Sequence, residues 1–346
     1  MLYGVVKTDE EVFFVKELIK TLVETYGPSG NEERIREAIR KEISGLADEV
    51  RTDALGNLIA RKRGDGGGKR VMLAAHMDEI GVIVTHVDEK GFLRFGAIGG
   101  VWPHTLLGGR VVFADGTVGV IGAEKVEDED RNKVIPLEKL FIDVGATDKA
   151  SAPVRVGDVA GFYRPFVDMG KRLVAKAFDD RIGCAILVQV MHDLKKTPND
   201  VYFVFSVQEE VGLRGATTSA YGIEPEIGLS VDVTLTGDTP EARTMAVELG
   251  KGPAIKIKDG RMLAHPGIRR LLVETAEAIG IPYQLEVPER GTTDATAIQV
   301  SREGVPAGCV SIPCRYVHTP SEMVDYDDVV NAARLLVAVL EKPITL

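Results

Sequence analysis

Seven side chains able to bind a metal ion or move a proton stand at or just beyond the ends of apolar runs: His76, Asp78, Asp179, Glu209, Glu210, Asp232 and His318. His76 closes the run 71–75, Glu209 and Glu210 follow 201–207, Asp232 closes 227–231, and His318 follows 310–313 after a short loop. Apolar runs of this length read as strands buried on both faces of an α/β sheet. Ligands in such sheets bind beyond the carboxyl ends of the strands. Carboxylates and imidazoles delivered by separate strands to one edge point to a metal site.

Each motif has a plainer explanation when taken alone. In His76-Met77-Asp78, alternate residues share a face, so Asp78 is placed to fix the His76 tautomer as the partner of a metal-bound imidazole does. A core histidine beside a surface aspartate fits the tripeptide as well. Asp179 reads equally as the N-cap of the helix that follows it. Two glutamates after an apolar strand are costly unless paired or metal-bound, although a solvated loop pair remains open. If 209 and 210 continue the strand, their side chains leave it on opposite sides, which divides them into one metal-bound carboxylate and one free base. Two imidazoles with three or four carboxylates fit two divalent ions sharing one carboxylate. A donor set without thiolates suits Zn²⁺, Co²⁺ or Mn²⁺. Such a pair polarises a carbonyl and lowers the pKa of a bound water towards ~7.

The elements that must position these groups follow from pattern and punctuation. Residues 9–26 carry apolar side chains at helical spacing and stop at Gly27-Pro28-Ser29-Gly30. A second helix runs from about 31 to 43, residues 53–60 read as a strand, and 63–69 as a flexible turn. Between 80 and 167 the pattern changes to short Val/Ile/Phe runs (81–87, 91–95, 110–113, 117–121, 141–144, 158–163) separated by Gly-rich turns, the mark of a small all-β unit. Helices at 180–195, 213–221, 263–279 and 326–340 then alternate with strands at 201–207, 227–233 and 307–312. His76 precedes the β unit and Asp179 follows it, yet both belong to one expected site. The expected architecture is therefore a mixed central sheet flanked by helices, built from 1–79 and 168–346, with a β-barrel inserted at 80–167.

Bulk properties narrow the partners. With 346 residues, 45% apolar and 27% charged, the chain is long enough for about two domains with real cores. A formal net charge of -10 argues against nucleic acid and anionic membrane, which require a basic footprint. No apolar run reaches the ~18–20 residues of a membrane span, and the opening Met-Leu-Tyr-Gly-Val-Val lacks a signal-peptide layout. Cys184, Cys309 and Cys314 contain no CxxC pair and suit a reduced, cytoplasmic protein.

The segments AAHMDEIG (74–81), AFDDRIG (177–183), FSVQEEVGLRGA (205–216), SVDVT (230–234), RGTTDA (290–295) and IPCRYVHTPSEM (312–323) resemble, in that order, the tetrahedral aminopeptidases. These are cocatalytic metallo-aminopeptidases, some labelled glutamyl aminopeptidases or endoglucanases, and the likeness runs from about residue 20 to 340. The resemblance implies a zinc-exopeptidase-like fold and two divalent ions, Zn or Co. It implies that Asp179 bridges them, that Glu210 and His318 complete one, and that His76 and Asp232 complete the other. Glu209 is then the catalytic base and Asp78 orients His76. It also implies short peptide substrates and a tetrahedral homododecamer assembled from dimers through the β unit. Arg290-Gly291 and Cys314 depart from the family pattern near the expected substrate pocket. No basic cluster stands out in the sequence, which favours neutral aliphatic N-terminal residues.

Three rivals remain. A dinuclear carboxypeptidase or N-deacylase uses a similar ligand order but carries its extra domain later in the chain. A glycoside hydrolase needs two carboxyl groups ~5–9.5 Å apart and generally no metal, leaving His76 and His318 unexplained; the single Trp102 also offers little sugar stacking. A non-catalytic relative would have little reason to keep Glu209.

Overall fold

The computed structural model describes residues 9–125, 127 and 132–346; the opening segment 1–6 lies outside them. Its core is a large mixed sheet. The strands are β1 (Glu49–Thr52), β2 (Leu58–Lys62), β3 (Arg70–His76), β10 (Val167–Asp168), β11 (Arg172–Ala175), β12 (Asp200–Ser206), β13 (Ile227–Thr234), β16 (Ala307–Arg315) and β17 (Glu322–Asp325), with β14 (Ala254–Lys256) and β15 (Gln284–Glu286) branching from β16. The order is β1-β2-β12-β3-β13-β16-β17-β11-β10. The four central strands, β12, β3, β13 and β16, are parallel. They are apolar and buried because helices cover the sheet, and they bring His76, Ser206 and Asp232 to one edge.

Helix α3 (Phe178–Asp193) lies against this sheet and packs under α1 (Asp9–Glu24) and α7 (Tyr326–Leu340). It is buried on every side from Phe178 to Met191, so its sequence shows no polar face. The periodic residues Val15, Leu18, Ile19, Leu22 and Val23 of α1 are all buried, as their spacing predicts. Helices α2 (Glu33–Glu42), α4 (Arg214–Ile223), α5 (Pro266–Ala278) and α6 (Asp294–Gln299) complete the layers.

Six strands form a closed antiparallel barrel in the order β4-β5-β8-β7-β6-β9. They are β4 (Gly81–Val87), β5 (Leu93–Ile98), β6 (Arg110–Phe113), β7 (Val118–Ala123), β8 (Leu140–Asp143) and β9 (Val159–Phe162). Alternation fills the barrel with its own core, including Val82, Leu93, Val111, Phe113, Ile142 and Phe162. Buried charges mark the passage between sheet and barrel. Glu79 and Lys176 pair at 2.6 Å, and the fully buried Arg181 donates to the carbonyls of Leu22, Thr25 and Gly27. These bonds engage both terminal nitrogens of the guanidinium, as a buried charge requires, while its Nε has no hydrogen-bond partner.

The expected strand over 53–60 is corrected to a hairpin. The Asp53 carboxylate accepts from the amides of Leu55, Gly56 and Asn57, and Gly56 takes φ +114°, so the chain turns between β1 and β2. Asn57 then reaches across to the Val207 amide and the Gly215 carbonyl, tying the hairpin to the loop that carries the two glutamates. Helix α5 begins at Pro266 rather than 263, with Pro at its first turn.

Candidate metal centre

The seven predicted side chains converge. His76 is the last residue of β3, and its Nε2 lies 3.0 Å from Asp179 Oδ1. On the other side of Asp179, Oδ2 stands 3.2 Å from His318 Nε2, which is 3.3 Å from Glu210 Oε2. Ligand atoms of His76, Asp179 and Asp232 lie within 4.8 Å of one another, and so do those of Asp179, Glu210 and His318. Among the described residues these are the groups so arranged, and they share Asp179. Glu209 belongs to neither; its Oε2 is 3.9 Å from His76 Nε2.

Neighbouring groups hold these side chains in place. His76 Nδ1 faces the main-chain carbonyl of Asp78 at 3.1 Å, with the Asp78 carboxylate at 3.5 Å. Asp78 thus faces His76 through both its carbonyl and its carboxylate, the carbonyl being the nearer acceptor. The Asp78 carboxylate has further work: it accepts from Ser29 Oγ at 2.6 Å and from the amides of Glu209 and Glu210 at 3.0 and 3.3 Å. Asp180 accepts from the His76 amide and from Gly183, locking β3 to the start of α3. Asp179 is not a helix cap. Ala177 is left-handed, Asp179 has non-helical dihedrals and makes no capping bond, and its side chain turns into the site.

Strand β12 ends at Ser206, so Glu209 and Glu210 sit on the turn beyond it. This corrects the expectation of a strand sending them to opposite sides. Freed from pleat alternation, both carboxylates turn inward, to His76 and His318 respectively.

The electrostatics are those of a site built for cations. Burial and the nearby Asp179 push Glu210 up to about 8, and burial followed by the Asp232 charge raises Asp180. Burial also raises Asp232 and Glu209, the former helped by Asp179. For His318 burial acts downward, but the Asp179 hydrogen bond and the Glu210 charge raise it to about 10. Five carboxylates this close, three buried and two half-buried, repel one another unless positive charge is added. One oxygen, Glu210 Oε1, is buried without a hydrogen-bond partner. Oxygen and imidazole donors in two groups that share a carboxylate fit two divalent ions.

Several contributors escaped the sequence reading. Glu322 is buried and accepts from the amides of Asp179 and His318 at 3.0 and 2.9 Å, holding two loops together. Asp294 is buried behind Ser206 and hydrogen-bonds its hydroxyl. His318 Nδ1 lies 3.1 Å from the carbonyl of Gly100, a barrel residue. A cavity of about 480 Å³ opens over the site. Its walls include Trp102, Leu213, Val233, Leu235, Pro288 and Val317, with Lys256, Arg261 and Arg290 among them. Lys256 and Arg261 belong to one short basic stretch that also holds Lys258, which the sequence reading passed over, and the fold brings Arg290 to them from a later loop. Lys256 is buried and paired with Glu286 at 2.8 Å, whereas both arginines are exposed.

No helix among the described residues is long and apolar enough to cross a membrane. A model of the M42 glutamyl aminopeptidases matches residues 56–335. The lysyl aminopeptidase of Pyrococcus furiosus is 37% identical, the alignment covering 94% of this chain and 96% of the relative. The solved structure of aminopeptidase APDkam598 from the archaeon Desulfurococcus kamchatkensis superimposes with a TM-score of 0.91 at 43% identity, covering 96% of each chain. The Pyrococcus horikoshii TET1 peptidase, which can assemble into a tetrahedron or a large octahedral shell, gives a TM-score of 0.84 at 35% identity over 95% of this chain and 99% of that one. Agreement over nearly the whole length, including the segments that carry the seven side chains, makes this chain a member of the M42 glutamyl aminopeptidase family and an aminopeptidase.

Proposed function

We propose that this aminopeptidase removes neutral aliphatic N-terminal residues from short peptides, using two divalent ions, Zn²⁺ or Co²⁺. His76 and Asp232 hold one ion, Glu210 and His318 hold the other, and Asp179 serves both. The observation that carries this reading is the pair of three-residue groups meeting at one carboxylate, with Glu209 beside them but outside both. When bound, the ions polarise the scissile carbonyl and lower the pKa of a water towards ~7. Glu209 is the general base. It takes a proton from the attacking water on a carboxylate oxygen and returns it to the departing amine nitrogen. Burial, which raises its proton affinity, suits it to holding that proton between the two steps. Asp78 orients the centre by gripping the amides of Glu209 and Glu210 while its own carbonyl faces His76.

The aliphatic preference is supported by the apolar wall of the cavity and by the pairing of Lys256 with Glu286. We assign residues 80–167 as the assembly unit of a tetrahedral homododecamer built from dimers. Val118 and Val120, both nearly half exposed on β7, and the shells of the P. horikoshii relative support that assignment. Three free, buried cysteines suit a cytoplasmic protein. The test is a panel of aminoacyl, N-acyl and carboxypeptidase substrates, each with and without chelator. Turnover should be confined to unblocked Leu- and Met-type substrates, vanish with chelator and return with Co²⁺ or Zn²⁺. Full turnover in metal-free protein overturns the mechanism, a preference for Glu or Lys overturns the specificity, and monomers alone on sedimentation overturn the assembly.

A further inference from the structure

The two halves of the centre are not equally attached to the barrel. Between β5 and the short helix Pro103–Thr105, residues Gly99 and Gly100 run directly against the half that contains Glu210 and His318. A Cβ on Gly100 would lie 2.3 Å from His318 Nδ1 and 2.7 Å from its Cε1. A Cβ on Gly99, whose φ is +74°, would lie 2.8 Å from Ile80 and 3.1 Å from Glu210 Oε2. At this approach the Gly100 carbonyl meets His318 Nδ1 at 3.1 Å. The corresponding acceptor for His76 comes from its own strand end, the Asp78 carbonyl.

From this asymmetry we propose that the main-chain carbonyl of Gly100 positions His318, so that the inserted barrel completes one half of the metal centre. A carbonyl that accepts a hydrogen bond from Nδ1–H keeps the proton there, so that the Nε2 lone pair is free and aimed between Asp179 and Glu210. A histidine on a loop with no such partner is free to choose the other tautomer or to swing away. His318 needs the help more than His76: it stands on a left-handed residue beyond β16, with 28% of its side chain exposed against 2% for His76. Gly100 is a positioning residue. It acts through the imidazole, and its carbonyl reaches the ring only because no side chain intervenes.

The inference rests on the proposed ligand set, and one titration separates the two. Wild-type protein and Gly100→Ala are stripped, then titrated with Zn²⁺ or Co²⁺ while bound metal per subunit is counted. The wild type should take up two ions. The added methyl meets the ring at Nδ1 and Cε1 and forces it off the Gly100 carbonyl, so in the variant one ion should bind about 10–100-fold more weakly, the scale of losing an outer partner, while the other keeps its affinity. Two ions bound unchanged in the variant, or both weakened together, overturn the positioning role alone. Fewer than two ions in the wild type overturn the ligand set and the positioning role with it. Should Gly100→Ala fail to fold, the metal-loaded wild type still decides by nitrogen-15 NMR of labelled histidine. His318 should carry its proton on Nδ1, and a proton on Nε2 overturns the inference.

Discussion

The half of the centre that contains His76 and Asp232 and the half that contains Glu210 and His318 use similar donors but are built differently. His76 and Asp232 stand on neighbouring parallel strands in fixed register, Ala74 opposite Ser230, and both are buried. Their spacing is a property of the sheet. Glu210 lies on a turn after β12 and His318 in a loop after β16, and they depend on Asp78, Glu322 and the barrel's Gly100 to hold them. The first half is set by backbone pairing, the second by loops from four elements meeting at one place. The proposed two-ion site would thus combine a rigid position with one that other parts of the molecule adjust.

The strongest test removes the residue common to both halves. Asp179→Ala should lose both ions and reduce peptidase activity to background, read by metal analysis and kinetics on the purified variant. Loss of one ion alone would show that the halves are independent. Next in size is Glu209→Gln, which should keep both ions and the melting temperature while slowing turnover by about 10²–10⁴-fold. Its pH–rate profile should lose the acidic limb. Metal loss in this variant with retention in Glu210→Gln would exchange the roles of the two glutamates. Glu210→Gln itself, which removes a direct ligand, should weaken the loop-built ion by more than the about 10–100-fold that losing an outer partner costs and spare the ion at His76 and Asp232. Equal loss of both would erase the contrast between a sheet-built and a loop-built half.

The smallest effect is on stability as a function of pH. Without metal, Glu210 is raised from its ordinary 4.5 to about 8 by burial and Asp179. His318 reaches about 10 because Asp179 and Glu210 outweigh burial. Between pH 5 and 9 the folded, metal-free chain therefore holds more protons than the unfolded one. Its stability should fall as pH rises through that window, by a few degrees of melting temperature. Asp179, held well below the carboxylate range by its two imidazole partners despite burial, works in the opposite sense only in acid. In the proposed ligand set an ion takes the place of these protons, so the fall should disappear in loaded protein. A metal-free melting temperature that rises from pH 6 to 9 would contradict the electrostatics described here.

Much of this was legible in sequence because it depends on local pattern. Each of the six runs expected in the β unit overlaps an observed barrel strand, two of them, Gly81–Val87 and Arg110–Phe113, residue for residue. The buried runs ending near His76, Ser206 and Asp232 are parallel strands as their composition demands. Strands β10, β11 and β17 were missed, since they are two to four residues long and exist through partners such as Ala175 and Glu322, far apart in the chain. Asp53 was misread because its side chain, rather than any apolar alternation, decides that the chain turns.

Donor types, their order, and the strands that end beside them can be read along the chain, because burial and alternation are written into neighbouring residues. Tertiary structure alone decided which donors group together, that both glutamates face inward, and that a barrel carbonyl 218 positions away in sequence faces His318. Arg290 likewise joins Lys256 and Arg261 on the wall of one cavity. The physical reason is common to all of these. Main-chain carbonyls and amides carry no residue identity, and loop conformations are fixed by long-range contacts, so neither leaves a periodic trace in the chain.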